Sequence, residues 1–309
     1  MGDYTVFLGD VALDEYYRVD NWPVPGGKAF LEQMEPEHGG MIANAACVYR
    51  AMGGNTRFMT ALNHGALSDL LIDGLKKWGV WPCHVIWDDA LADSKCMIFL
   101  TEDNNTVFIL ETGLTVYDIT EEYFAVLQGA KYLYSTLSDL LRLQYQGMKG
   151  LEVVRKLKES GIKVFCDLDT GYLEEEKEEY YQVLDYAVFN HIGFDGYKGT
   201  RAEEEAIKDL LSYGIKSVAV TYGSAGCKVF WQDGKAEISA FPVDVTDATG
   251  AGDTFSSAFL YGIDRFDQDY KKAAEFASAA AAICVSGVGA RAGAVSEEKV
   301  HLFIAHNKR

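Results

Sequence analysis

Basic residues, histidine pairs and long apolar runs are what this 309-residue chain has least of. Its 28 Lys and Arg face 46 Asp and Glu, a formal net charge of −18. Such a surface repels nucleic-acid phosphates and anionic lipid, which excludes both as general partners but leaves room for a small anion at a local site. Six histidines are scattered with no i, i+4 pair, so zinc finds no helical ligand pattern. The longest small and apolar stretch, residues 277–288, is broken by Ser278 and Ser286 and falls well short of the roughly 20 residues that span a bilayer. The opening ten residues lack a basic region and a long apolar region, and Val6 stands where a myristoylation signal wants Ser or Thr. Neither secretion nor lipidation is expected. None of the six cysteines forms a Cys-x-x-Cys pair, and all but Cys83 lie in apolar or strand-like surroundings. They read as reduced thiols of a cytoplasmic protein.

What remains is ordinary globular composition, 49% hydrophobic and 24% charged, which rules out collagen, long disorder and a disulfide scaffold. Residues 4–8 form an apolar, β-rich run stopped by Gly9-Asp10, a buried first strand. Alternation marks a half-buried strand at 30–35, and 42–52 reads as a helix after Gly39-Gly40. A strand at 56–62 precedes a helix at 67–78 whose face carries Leu70, Leu71, Leu75 and Trp78. Trp78, Trp81 and Trp87 are expected to pack in the core or against the smaller sheet. Runs at 96–101 and 106–111, joined by residues 102–105, give a hairpin. From 120 onward helices (121–127, 148–160, 173–184, 202–212) alternate with strands (132–136, 163–167, 186–190, 217–221). The acidic run at 174–179 reads as a solvated helix face. A hairpin at 229–241 and two helices at 252–262 and 271–285 close the chain. The alternation implies an α/β fold, a central mostly parallel sheet with helices on both faces. The early strands and the first hairpin break the rhythm and form a small second β-sheet. The whole chain, 1–309, reads as one domain with no linker or repeat.

Chemistry concentrates at residues 243–255, Val-Asp-Val-Thr-Asp-Ala-Thr-Gly-Ala-Gly-Asp-Thr-Phe. A strand region runs into a turn of small residues and then a helix, whose first N–H groups are unpaired and carry the positive end of its dipole. Gly250, Ala251 and Gly252 let a phosphate approach the backbone. No Gly-Lys-Ser/Thr follows, so the loop is not a Walker A motif. Asp253 is the odd member, because a carboxylate beside a phosphate repels it unless it takes a proton. As a bare helix-capping carboxylate it would be unremarkable; as a base for an attacking hydroxyl it completes a phosphoryl-transfer site.

Residues 247–255, Asp-Ala-Thr-Gly-Ala-Gly-Asp-Thr-Phe, resemble the C-terminal signature of the ribokinase-like, or PfkB-type, carbohydrate kinases. A second signature of that family, a Gly-Gly pair followed by Asn, is matched by Gly39, Gly40 and Asn44. The resemblance runs over almost the full chain. It implies a ribokinase-like fold whose small β-sheet, about 13–35 and 94–112, is a lid. It implies an ATP- and Mg²⁺-dependent kinase acting on a small sugar or related alcohol. Asp253 would be the base, and the backbone of Gly250, Ala251 and Gly252 the anion hole. Asp14, with Gly39, Gly40 and Asn44, would bind the sugar. Asn190, Thr221, Gly223, Gly226 and Ser278 would contact the nucleotide, and Asp247 would serve a monovalent cation, with K⁺ as the candidate.

The chain departs from the family at four places. Ala12 and Met41 replace an Asn and a Lys of ribokinase, which points away from ribose. Gly293 replaces a Ser. In Asn190-His191-Ile192-Gly193 the Glu of the family's Asn-x-x-Glu is missing, with Asp169 or Asp195 as replacements; Asp167 matches another family Asp. Three readings follow: a sugar kinase, a nucleoside or other small-molecule kinase on the same scaffold, and a catalytically weak ligand binder. Apolar residues of the lid, Phe30, Leu31, Ile98 and Phe99, imply a homodimer that covers them.

Overall fold

The computed structural model describes residues 2–101, 105–169 and 178–307. Strand β1 (Thr5–Leu8) is buried throughout. The two-residue period of a strand divides its side chains, sending Val6 and Leu8 to one face and Phe7 to the other. The chain then leaves for a smaller sheet, β2 (Ala12–Arg18), β3 (Glu32–Gln33) and β4 (Glu37–Gly39), and returns through helix α1 (Met41–Ala51), β5 (Thr56–Leu62), α2 (Ala66–Lys77) and β6 (Pro82–Trp87). Strands β7 (Lys95–Leu100) and β8 (Asn105–Ile109) complete the smaller sheet. Next come β9 (Tyr117–Asp118), α3 (Glu121–Gly129), β10 (Tyr132–Thr136), α4 (Leu137–Leu141), β11 (Leu143–Tyr145), β12 (Met148–Lys149) and α5 (Leu151–Lys158). Then follow β13 (Lys163–Asp169), α6 (Glu178–Tyr181), β14 (Tyr186–Asn190), α7 (His191–Lys198), α8 (Glu203–Ser212), β15 (Ser217–Thr221), β16 (Cys227–Trp231) and β17 (Gly234–Ile238). Helices α9 (Ala251–Arg265), α10 (Tyr270–Val285) and α11 (Glu297–Asn307) end the fold.

The main sheet has nine strands in the order β17-β16-β15-β14-β13-β10-β1-β5-β6. Every neighbouring pair from β15 to β6 is parallel, and β16 and β17 extend one edge antiparallel. One core holds side chains of α1, α2, α9, α10 and α11 against one face, and a second holds those of α3 to α8 against the other. Phe7, Tyr134 and Phe165 stack across β1, β10 and β13 with ring centroids 4.9 Å apart at each step. The alanine-rich α10 approaches α9 closely at Gly262, where a Cβ would stand 2.8 Å from the Cα of Ala273. The expected mostly parallel sheet with helices on both faces and a smaller β-sheet is therefore the architecture observed. Among the described residues no helix is long and apolar enough to cross a membrane.

Several local expectations fail for identifiable reasons. The strand expected at 30–35 contracts to Glu32–Gln33, both exposed, because it pairs only with the distal end of β2 and no layer covers it. In α2, Leu71 and Leu75 form the buried seam, while Leu70 lies outward and Trp78 caps the helix end; both are exposed. Trp81 and Trp87 are exposed as well, and Trp87 stacks on the His64 ring at 4.6 Å instead of entering a core. The helix expected at 148–160 starts only at Leu151, since Met148–Lys149 pair with β11 and Gly150 turns the chain at φ +48°. Ile98 is buried, unlike Phe30 and Leu31. Helices α7 and α11 carry no pattern that was read as helical. Of the charged helix expected at 173–184, α6 is the described part; residues 170–177 and 102–104 lie outside the described residues.

Candidate active site

The parallel strands end along one edge, where a doubly wound sheet gathers loops and helix starts. Asp10 follows β1, Asp167 and Asp169 close β13, Asn190 closes β14 and Thr221 closes β15. Helix α9 opens over this edge. Its cap is Gly250, held left-handed at φ +75° with no side-chain cap, and a Cβ there would stand 2.0 Å from the carbonyl oxygen of Ala290. The Ala251 N–H turns back to the Ala248 carbonyl at 3.3 Å. Gly252 is exposed, and a Cβ on it would meet nothing within 4 Å. The first turn of α9 thus presents backbone to open space.

Asp253 lies half-buried in that turn. Its Oδ2 accepts a hydrogen bond from Asn44 Nδ2 at 2.9 Å. Burial pushes its carboxyl well above the usual range, and the charges of Asp167, Asp10 and Asp169 push the same way against the pull of the Asn44 bond. Asp167 is itself raised to about 6 by burial, with the Tyr134 hydroxyl donating to it at 3.0 Å. Asp10 accepts the N–H groups of Met41 and Ile42, both at 3.1 Å, so the start of α1 is already occupied by a carboxylate.

Asp14 sits buried on β2, and burial together with Asp10 raises it to about 6. Gly39 makes room for it: a Cβ there would lie 2.1 Å from Asp14 Oδ2. Gly40 turns the chain into α1 at φ +93°, where a Cβ would meet the Cα of Val11 at 2.7 Å. Both glycines therefore have packing causes. Asn44 was expected to meet the sugar; the structure sets its buried amide between Asp253 and Arg291, whose Nε donates to Oδ1 at 3.0 Å. Arg291, buried in the turn after α10, escaped the sequence reading. Its available signal was a lone cation inside the small-residue run Gly287–Ala294. Glu37 was missed too; it abuts Gly289, where a Cβ would lie 2.4 Å from Oε2.

Among the residues expected to meet a nucleotide, Asn190 accepts the Gly193 N–H at 2.8 Å as the cap of α7 and donates to Asp169 at 2.6 Å. Asp195 instead pairs with Lys198 at the surface. Thr221 is half-buried and leads into Gly223, at φ +56° beside open space. Gly226 is buried at φ +95°, where a Cβ would strike the Ile238 carbonyl at 2.0 Å, so it serves the turn itself. Ser278 is buried, and its hydroxyl meets Cys227 Sγ at 3.6 Å within the wall between α10 and β16. Asp247 accepts N–H groups of Thr249 and Gly289, each at 2.9 Å. Burial raises it, but those bonds and the Thr249 hydroxyl hold it below the usual carboxylate range. Gly293 has its Cβ position 2.4 Å from Thr254 Oγ1, so a Ser there would require Thr254 to move. Among the described residues no cluster of three or more His, Cys, Asp or Glu is placed to hold a metal.

Comparison with known proteins matches residues 4–297 to the pfkB family carbohydrate kinases. A 5-dehydro-2-deoxygluconokinase of Clostridium perfringens is 26% identical over 97% of this chain and 92% of its own. A ribokinase of Staphylococcus aureus is 23% identical over 97% and 99%. The structure of Arabidopsis thaliana ribokinase complexed with ribose and ATP, 22% identical, superposes with a TM-score of 0.83 over 98% of this chain and 99% of that one.

Proposed function

This chain belongs to the pfkB family of carbohydrate kinases, a phosphotransferase acting on a sugar hydroxyl, and from that premise we propose how its residues divide the work. Asp253 is the general base. The acceptor hydroxyl gives its proton to Asp253 as its oxygen bonds to the γ-phosphorus of ATP, and the bond to the bridging oxygen breaks to release ADP. The observation that carries this is the half-buried carboxylate in the uncapped first turn of α9, raised toward neutrality and held by an amide N–H. The backbone at 250–252 and the positive end of the helix receive the charge of the phosphoryl group in transit. Asp14 accepts sugar hydroxyls, as a carboxylate at the base of the smaller sheet suits a polyol. That sheet, bearing β2 and β7 beside Asp14, closes as a lid and excludes water.

The nucleotide lies along the ends of β14 and β15, past Asn190, Thr221 and Gly223. Mg²⁺ is typically held by one or two carboxylates plus phosphate oxygens and water, and it neutralises phosphate charge when bound. The Asp169–Asn190 pair, joined by a hydrogen bond, would supply a carboxylate for that role in place of the family's missing Glu. For a monovalent cation the ionised Asp247 fits, since its two oxygens offer about four acceptor sites and the N–H groups of Thr249 and Gly289 with the Thr249 hydroxyl occupy three. A second copy of the chain would cover the exposed Phe30, Leu31, Val107 and Ile109 of the smaller sheet. The five cysteines among the described side chains are free thiols, which supports a reducing, cytoplasmic location.

The test is ADP release with MgATP over ribose, 5-dehydro-2-deoxygluconate, other sugars and sugar acids, amino sugars and nucleosides. Turnover on a sugar that falls about 10²–10⁴-fold in Asp253→Asn is expected. A variant that keeps more than a tenth of the activity removes Asp253 as the base, and turnover of nucleosides alone moves the substrate class.

A further inference from the structure

Resting on the reading of Asp253 as the base, we infer that Arg291 is a positioning residue for catalysis: it locks the Asn44 amide so that N–H, not the carbonyl, faces Asp253. A guanidinium can only donate hydrogen bonds, and an ionised carboxylate can only accept them. Asn44 lies between the two, with Oδ1 3.0 Å from Arg291 Nε and Nδ2 2.9 Å from Asp253 Oδ2. Only one orientation of the amide satisfies both neighbours. Asn44 is 4% exposed and Arg291 8%, so water is poorly placed to substitute for either. A second donor of the same guanidinium, Nη2, reaches the Gly39 carbonyl at 3.4 Å and ties the end of β4 to the turn after α10. The remaining Nη1 is buried with no hydrogen-bond partner among the described residues. A group this costly to bury, with one donor unsatisfied, is poor material for stability alone.

The consequence is electrostatic as well as geometric. Asp253 is surrounded by groups that favour its protonated form: Asp10 from the end of β1, Asp167 and Asp169 from β13. Tyr134 from β10 and Cys284 from α10 also feel its charge, and Arg291 is the cation among these neighbours. The Asn44 N–H is the hydrogen bond that holds the carboxyl down. Without Arg291 the amide is free to rotate. A carbonyl oxygen then faces a carboxylate oxygen at hydrogen-bond distance, and the pair is satisfied only if Asp253 keeps a proton. A base that keeps its proton cannot take one from the sugar.

The experiment measures kcat against pH for the full-length enzyme and for Arg291→Met, Arg291→Gln, Asn44→Asp and Asp253→Asn, with melting temperatures alongside. Arg291→Met removes the donor. The acid limb of kcat should move up by about 1 pH unit, so that kcat on that limb falls by up to roughly tenfold, the range expected for losing one charge-assisted hydrogen bond, with KM for ATP within about twofold. Arg291→Gln restores an N–H for Asn44 Oδ1 without the charge, and should recover kcat to within about threefold and bring the acid limb back. A folded Met variant with the wild-type acid limb, or Met and Gln variants that behave alike, overturns the inference. Should Arg291→Met fail to fold, Asn44→Asp decides. It keeps the Arg291 contact as an ion pair but has no N–H for Asp253, so its acid limb must also rise by at least about 1 unit; an unmoved limb overturns the inference. Asp253→Asn separates the two claims. If it is inactive while the Arg291 profiles are unmoved, the base stands and the positioning role falls; if it is active, the base itself falls.

Discussion

Two glycines two residues apart at the start of α9 should respond to alanine in opposite ways. At Gly250 the backbone is left-handed, which costs an alanine about 1–2 kcal/mol. The new Cβ would also stand 2.0 Å from the Ala290 carbonyl oxygen and 2.7 Å from its carbon and Cα. No rotamer relieves a contact with backbone, so the 287–291 turn must shift by more than 1 Å. That turn supplies the Gly289 N–H to Asp247, and loosening a bond to a charged group costs about 1.5–3 kcal/mol more. The sum is roughly 3–5 kcal/mol. With about 2.1 cal/mol/K of unfolding entropy per residue over 309 residues, 1 kcal/mol moves Tm by about 1.5 °C, so Gly250→Ala should melt about 4–8 °C lower. Its kcat should drop about 10²-fold, as the phosphate cradle is displaced. Gly252 lies in the helix with open space where a Cβ would go. Alanine there should raise stability by about 0.5 kcal/mol. Yet the same methyl stands in the space proposed for the transferred phosphoryl group, and kcat should fall at least about tenfold. Thermal melts with coupled ADP-release kinetics read both quantities. A Gly250→Ala protein that melts with wild type, or a Gly252→Ala protein with full kcat, refutes this account of the loop.

Asp14→Asn should raise KM for the sugar about 10–10²-fold while leaving KM for ATP in place, measured by initial rates. Because burial raises the Asp14 carboxyl to about 6, it protonates as pH falls through 6, and sugar KM in the wild type should climb between pH 7 and 5. A folded pKa above the ordinary value means that ionising Asp14 costs stability at pH 7, by about 3 kcal/mol, so Asp14→Asn should melt higher than wild type. Asp169→Asn should raise the Mg²⁺ concentration for half-maximal rate about tenfold, read by Mg²⁺ titration at fixed ATP; an unchanged requirement removes Asp169 from the metal's surroundings. Phe30→Glu should convert a dimer to monomer in light scattering, and a wild-type monomer at micromolar concentration ends the proposal of a covered smaller sheet.

Where local chemistry sets local structure, the sequence was readable. A fully apolar run ended by Gly9-Asp10 has few options besides a buried strand, and the small residues at 250–252 before Asp253 announce a helix start with exposed backbone. Gly39 and Gly40 stand out in the sequence, and the fold displays a cause that the sequence does not: the Asp14 carboxylate and the Val11 backbone fill the space a side chain would need. Partnerships across long separations were out of reach. Asn44 and Arg291 are 247 residues apart, and nothing near either one states that the amide belongs to an arginine instead of a ligand. Periodicity also misled where an element sits at an edge. Leu70 and Trp78 fit a helical stripe, but the surface of α2 that meets the core is centred on Leu71 and Leu75, flanked by Leu67, Ser68, Ile72 and Gly74, and leaves both exposed.

The burial of Asp14, Asp167 and Asp253 has a consequence for heat and protons as well as for rate. Two of these carboxyls titrate near 6, and Asp253 is raised further in the same direction. Near pH 6 these side chains therefore hold protons that exposed carboxylates would have released. A sugar that needs the ionised form of Asp14 expels part of that store as it binds. The enthalpy measured by calorimetry should then scale with the ionisation enthalpy of the buffer, and the slope counts the protons displaced. The fold in this sense would couple recognition of a sugar to the acidity of its surroundings through a carboxyl of the protein, even for a sugar with no group of its own titrating there.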